Sequence, residues 1–119
     1  MKVADLACDA LDYWVAKADG LVERGTLVTE RFGRSGNWIC GFVPYRPSSD
    51  WLQGGPIIDR VPFGIFERFE GKWAAGIYRP QDGPRDLCIA YQTGDTLLIA
   101  AMRAYVASKF GEEVPDEGC

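Results

Sequence analysis

The chain has 119 residues, 47% of them hydrophobic and 25% charged, proportions that exclude a disordered or low-complexity protein and fit a single domain over 1–119. Thirteen basic against seventeen acidic side chains leave a net charge of -4, which excludes binding of duplex nucleic acid by bulk electrostatics. There is no histidine, so Ser-His-Asp and Cys-His centres are excluded, and the commonest metal ligand is missing too.

The opening MKVADLACDALDYW lacks the apolar stretch of a secretion signal, and the longest apolar run, Leu97 to Met102, falls far short of the ~20 residues that a membrane span needs. The expectation is a cytoplasmic protein with no membrane contact. Cys8, Cys40, Cys88 and Cys119 share no C-x-x-C spacing, which points to reduced thiols rather than disulfides or a zinc site. No cofactor is expected.

From Asp9 to Ala18 the apolar residues Leu11, Trp14, Val15 and Ala18 recur at helical spacing, with Asp9 as a cap and Gly20 as a stop. On its other side Tyr13 and Lys17 stand one turn apart and form a small exposed pair, either a tyrosine packed on a lysine stem or a ligand contact. Thr26–Phe32 and Trp38–Val43 are rich in β-formers and flank the loop Gly33–Asn37, which predicts an antiparallel hairpin. Leu21–Glu23 extends that sheet, and Pro44 ends the second strand because proline cannot donate to the ladder.

The next stretch, SSDWLQGGPIIDR, sets Trp51 beside the two glycines Gly54 and Gly55, with Pro56 opening a short helix Ile57–Arg60. As scaffold, Ser49 or Asp50 caps a turn and Trp51 is buried. As a pocket, the glycine amides cradle an anion, Trp51 offers a stacking plate, and Arg60 or Arg103 clamps the charge. A lone GGP is a weak phosphate signal, so both readings stand.

Ile65–Phe69, Trp73–Tyr78 and Leu87–Tyr91 read as further strands, with a turn at Gly71-Lys72 and a surface loop over Arg79–Pro84. Thr96 to Phe110 is the strongest helix signal, capped by Thr96 and stopped by Gly111. Leu98, Ile99, Met102, Tyr105, Val106 and Phe110 form a bulky stripe, while Ala100, Ala101, Ala104, Ala107 and Ser108 line the opposite side. A helix of this kind is covered on both faces. Its small face admits close approach of the sheet, of the first helix, or of a second copy in a homo-oligomer; packing within the chain is the plainer choice. Arg103 then lies between packed faces and needs a partner, with Asp50, Asp59 and Glu67 as candidates, unless it snorkels past the helix edge. The expected fold is α+β, a mainly antiparallel sheet packed against an N-terminal and a long C-terminal helix.

LDYWVAKADG, YRPSSDWLQGGPIIDR, WAA and TGDTLLIAAMRAYVASKFGEEV, in that order and over about half of the chain, resemble the NinX-like phage proteins. The resemblance implies a phage or prophage origin and the bacterial host cytoplasm as its workplace. It carries over no catalytic residue, because the family has none established.

Two function classes follow. One is a small non-enzymatic accessory binding protein, acting in counter-defence by sequestering a small anionic, nucleotide-like ligand or by holding a host protein, with Asp50, Trp51, Gly54, Gly55, Pro56, Arg60, Arg103, Tyr13 and Lys17 as candidate binding residues. The other is a hydrolase or transferase using Asp50, Asp59 or Tyr13, which is weaker for want of a paired-carboxylate motif.

Overall fold

The computed structural model describes residues 1–19, 27–32, 37–40, 43–79 and 87–115. A 3-10 turn (Val3–Asp5) leads into helix α1 (Cys8–Ala18), strands β1 (Leu27–Phe32), β2 (Asn37–Cys40) and β3 (Val43–Tyr45), and helix α2 (Trp51–Arg60). Strands β4 (Phe63–Phe69), β5 (Lys72–Arg79) and β6 (Leu87–Gly94) follow, and helix α3 (Leu97–Phe110) closes the order. The strands make two three-stranded antiparallel sheets, β1-β2-β3 and β4-β5-β6. This is the expected α+β arrangement, with a C-terminal helix on an antiparallel sheet.

Helix α1 buries Leu11, Trp14 and Val15, as its spacing requires. It begins at Cys8 with Ala7 in the capping position and no side-chain cap, so Asp9 lies inside the first turn rather than ahead of it. The Gly20 stop and the Leu21–Glu23 extension lie outside the described residues, as do the loops at 33–36 and 80–86.

The first hairpin is present, with Leu27 opposite Cys40. Pro44 does not end its sheet, however. The chain reverses after Cys40, and β3 returns along β2 with Pro44 opposite Ile39. A proline fits there because β3 is an edge strand, whose outward amide has no ladder partner to lose. In the second sheet the β4–β5 turn falls on Glu70 and Gly71, both at positive φ (50° and 81°), one residue earlier than the sequence suggests. Two successive positive φ angles suit the twist of a tight hairpin, and glycine takes the second at no steric cost.

Helix α3 sits at the centre. It packs on β5 and β6, on α1, and on α2 and the 3-10 turn. Leu98, Met102, Tyr105 and Val106 are buried, and so are Ala100, Ala101, Ala104 and Ala107. The alanine side is therefore filled from within the chain, and no seam for a second copy is left along it. The Thr96 hydroxyl accepts from the Ile99 amide at 3.2 Å, which satisfies one amide of the helix start. At the other end Gly111 stops the helix with φ 87° and ψ -169°, a positive-φ conformation open to glycine but more extended than the expected left-handed one.

The N-terminus and the segment Glu112–Val114 join this core. The Val3 amide donates to Glu112 O at 2.8 Å and the Val114 amide to Met1 O at 2.9 Å, placing Val3 and Val114 in the same apolar cluster as Leu6, Ile57 and Ile77.

Candidate functional site

Helix α2 starts at Trp51, earlier than Pro56. Asp50 is its cap: its Oδ1 accepts from the Leu52 amide at 3.0 Å, and its carbonyl accepts from Gln53 and Gly54. The Gly54 amide is thus committed to the first helical turn, which removes the expected glycine anion cradle. Pro56 sits inside the helix, where its missing amide frees the carbonyl of Leu52, a residue 86% exposed.

The two glycines differ in their surroundings. A Cβ on Gly54 would lie 2.6 Å from Leu98 Cδ2 and closer still to the Pro47 carbonyl oxygen, so this position is where α2 presses against the Pro47 turn and α3. Apart from its chain neighbours Gly54 and Pro56, a Cβ on Gly55 would meet nothing nearer than the Trp51 ring, at 3.9 Å. Trp51 itself is 54% exposed, not a buried anchor. It rims a recess of about 230 Å³ with Ser48, Ser49 and the start of α3.

Arg103 does not line that recess. Its Nε donates to Leu6 O and its Nη1 to Thr93 O, both at 2.8 Å, so it ties the N-terminal segment to β6. Burial pushes its guanidinium below the ordinary value, against the pull of the Asp95 and Asp5 charges. Asp50, Asp59 and Glu67 are not its hydrogen-bond partners, and it does not snorkel. Backbone carbonyls, which no sequence pattern advertises, take the place of the expected carboxylate.

Tyr13 and Lys17 do meet, though half-buried rather than exposed. The Lys17 ammonium lies 5.6 Å from the Tyr13 ring centre and 4.8 Å from that of Trp14, a cation over two aromatic faces. Trp14 packs edge-on against Phe110, and its indole N–H is buried without a hydrogen-bond partner.

Arg60 is the predicted residue with the most developed surroundings. The helices α1, α2 and α3 end close together, and each carries a cation in its last turn: Lys17, Arg60 and Lys109. Such cations complement the negative ends of helix dipoles. Arg60 donates to Asp19 Oδ1, and the Tyr105 hydroxyl donates to the same oxygen at 3.1 Å. Burial pulls the Arg60 guanidinium down, but Asp19 and Tyr105 more than offset it. The Tyr105 hydroxyl is held above its ordinary value by burial and by the Asp19 charge, against Arg60.

Beside this cluster opens a recess of about 260 Å³. Val61, Pro62, Ile77 and Ile89 form its apolar walls, and Arg60, Tyr105, Ser108 and Lys109 supply its polar groups. Asp19, Tyr105, Ser108 and Lys109 escape sequence reasoning. The one signal pointing to them is the basic residue at each helix end, and it acquires meaning only when the three ends converge.

The chain matches the family described as Bacteriophage P22, NinX over residues 2–109. It belongs to that family. The match runs from the 3-10 turn to the last turn of α3, and so spans every residue of the Arg60 recess while stopping short of Glu112–Val114. No curated protein matches the chain.

As a NinX-family member it is a phage protein. No helix among its described residues is long and apolar enough to cross a membrane, and no three of their cysteine, aspartate and glutamate side chains gather as a metal site. Of the groups expected for hydrolysis or transfer, Asp50 caps α2, Asp59 is exposed, and Tyr13 packs beneath Lys17; none of them lines the Trp51 or the Arg60 recess.

Proposed function

We propose that this phage protein is a non-enzymatic binder that sequesters a small anionic, nucleotide-like ligand in the recess beside Arg60, an activity suited to counter-defence in the host cytoplasm. The observation that carries the reading is the pairing, in one recess of about 260 Å³, of the apolar side chains Val61, Pro62, Ile77 and Ile89 with Arg60, Tyr105, Ser108 and Lys109. Arginine suits this work because its planar fork meets a phosphate or carboxylate with two parallel hydrogen bonds. The sequence-based expectation put Arg60 as a charge clamp beside Trp51; this reading moves that clamp to a separate recess, while Arg103 and the glycines serve the scaffold.

Thermal-shift measurements against linear and cyclic nucleotides, with and without Mg²⁺, test the reading. A ligand present at a hundredfold over its dissociation constant stabilises the fold by roughly 2.7 kcal/mol. Recovery of that ligand unaltered supports sequestration, and its conversion points to catalysis. Absence of any shift across the panel removes the reading.

A protein partner is the second reading, favoured by the adjacent exposed side chains Trp51 and Leu52, at 54% and 86%. It predicts that a host protein co-purifies with the wild type but not with Trp51→Ala/Leu52→Ala, in a protein whose melting temperature no nucleotide moves.

A further inference from the structure

We infer that Asp19 is a built-in occupant of the Arg60 site: its carboxylate holds the place of the ligand's anionic group, and the ligand binds by displacing it. This rests on the reading that the recess takes a small anion.

Three observations lead there. First, Asp19 Oδ1 accepts from both Arg60 and the Tyr105 hydroxyl, two donors that also line the recess. An incoming phosphate meets those donors already engaged. Second, Arg60 at the end of α2 and Lys109 at the end of α3 are two cations lining one recess, a charge that favours an anion arriving in place of the Asp19 carboxylate.

Third, Asp19 is the C-cap of α1, a position where the helix dipole disfavours an acid. Its ion pair with Arg60 is a weak one, because half of the Arg60 side chain is exposed to water. A phosphate bound bidentate to Arg60 and reached by Lys109, which has no ion-pair partner among the described residues, makes more charge-assisted contacts than the single carboxylate it replaces. The Tyr105 hydroxyl, held in its protonated form by burial, remains a donor throughout the exchange. A ring attached to the phosphate gains the wall of Val61, Pro62, Ile77 and Ile89, so the favoured class is a nucleoside monophosphate rather than free phosphate.

Calorimetric titration at low salt tests the displacement, with adenosine 5′-monophosphate as the probe and inorganic phosphate and adenosine as controls. The expected result is that Asp19→Asn binds the monophosphate about tenfold more tightly than the wild type, since the competitor has lost its charge, while Arg60→Gln binds it at least tenfold more weakly. Asp19→Ser makes the same comparison should Asp19→Asn fold poorly. Equal or weaker binding by the neutral variants, with the wild type still binding, overturns the displacement and leaves the anion site standing. Binding of no probe by either the wild type or the neutral variants overturns both.

Discussion

The Asp50–Pro56 stretch shows how position within one turn decides what a residue does. Gly54 and Gly55 are adjacent and chemically identical, yet only Gly54 lacks room for a side chain. Gly54→Ala is expected to destabilise the protein by about 2 kcal/mol through overpacking, because the Pro47 carbonyl is backbone and cannot swing aside. Gly55→Ala should cost less, under about 1 kcal/mol, because the helix favours alanine over glycine while the ring of Pro56 disfavours a helical residue with a Cβ just before it. A urea midpoint lowered clearly more by Gly54→Ala than by Gly55→Ala would bear this out. Tyr105 makes a second prediction. Its folded-state pKa lies above the ordinary tyrosine value of 10.0, so the folded protein keeps a proton that the unfolded chain releases first. The stability this contributes is fully present below pH 10 and is lost as pH rises through the folded value. Comparing urea midpoints from pH 8 to 11, the decline should be shallower in Tyr105→Phe than in the wild type.

At the scale of elements, α3 is held between layers by small residues. Where β6 ends, a Cβ on Gly94 would come within 2.7 Å of the Ala100 amide nitrogen and of Ile99 Cγ2. Helix and strand can approach this closely because the strand presents no side chain at the contact. Gly94→Ala is expected to cost about 1–3 kcal/mol and to shift amide resonances along Leu97–Ala101, a local displacement of the helix start that a two-dimensional NMR spectrum would reveal. The helix itself was legible in the sequence, from its Thr96 cap to its Gly111 stop, because those signals are local. The start of α2 was not. The Gly-Gly-Pro run reads as a break, and only packing against the Pro47 turn and Leu98 keeps those residues helical.

Across the whole molecule, the N-terminus meets the segment Glu112–Val114 that follows the last helix. The Met1 amino group donates to Val114 O at 2.7 Å, and Val114 is 3% exposed although it lies beyond the last helix. Ending the chain after Gly111 removes that buried valine and the hydrogen bonds to Met1 and Val3, a loss of about 2–4 kcal/mol. That is a large share of the 5–15 kcal/mol that typically separates folded from unfolded states. The truncated protein should unfold at a markedly lower urea concentration with a nearly unchanged slope. The same scale decides the candidate site. Arg60 was named from sequence, but Asp19 is 41 residues away from it, and no periodicity links the two.

The sequence by itself determined the α+β class, the two principal helices, the exclusion of histidine chemistry and the likeness to NinX proteins. Each of these rests on composition, on spacing within a few residues, or on runs of sequence that survive without reference to space. Only the tertiary structure decided that Arg103 bonds to backbone carbonyls, that the alanine face of α3 is filled from within, and that three helix ends bring Arg60, Tyr105 and Lys109 around one recess. Those outcomes depend on which distant groups come into contact, and contact is set by the packing of the whole chain against water rather than by any one segment.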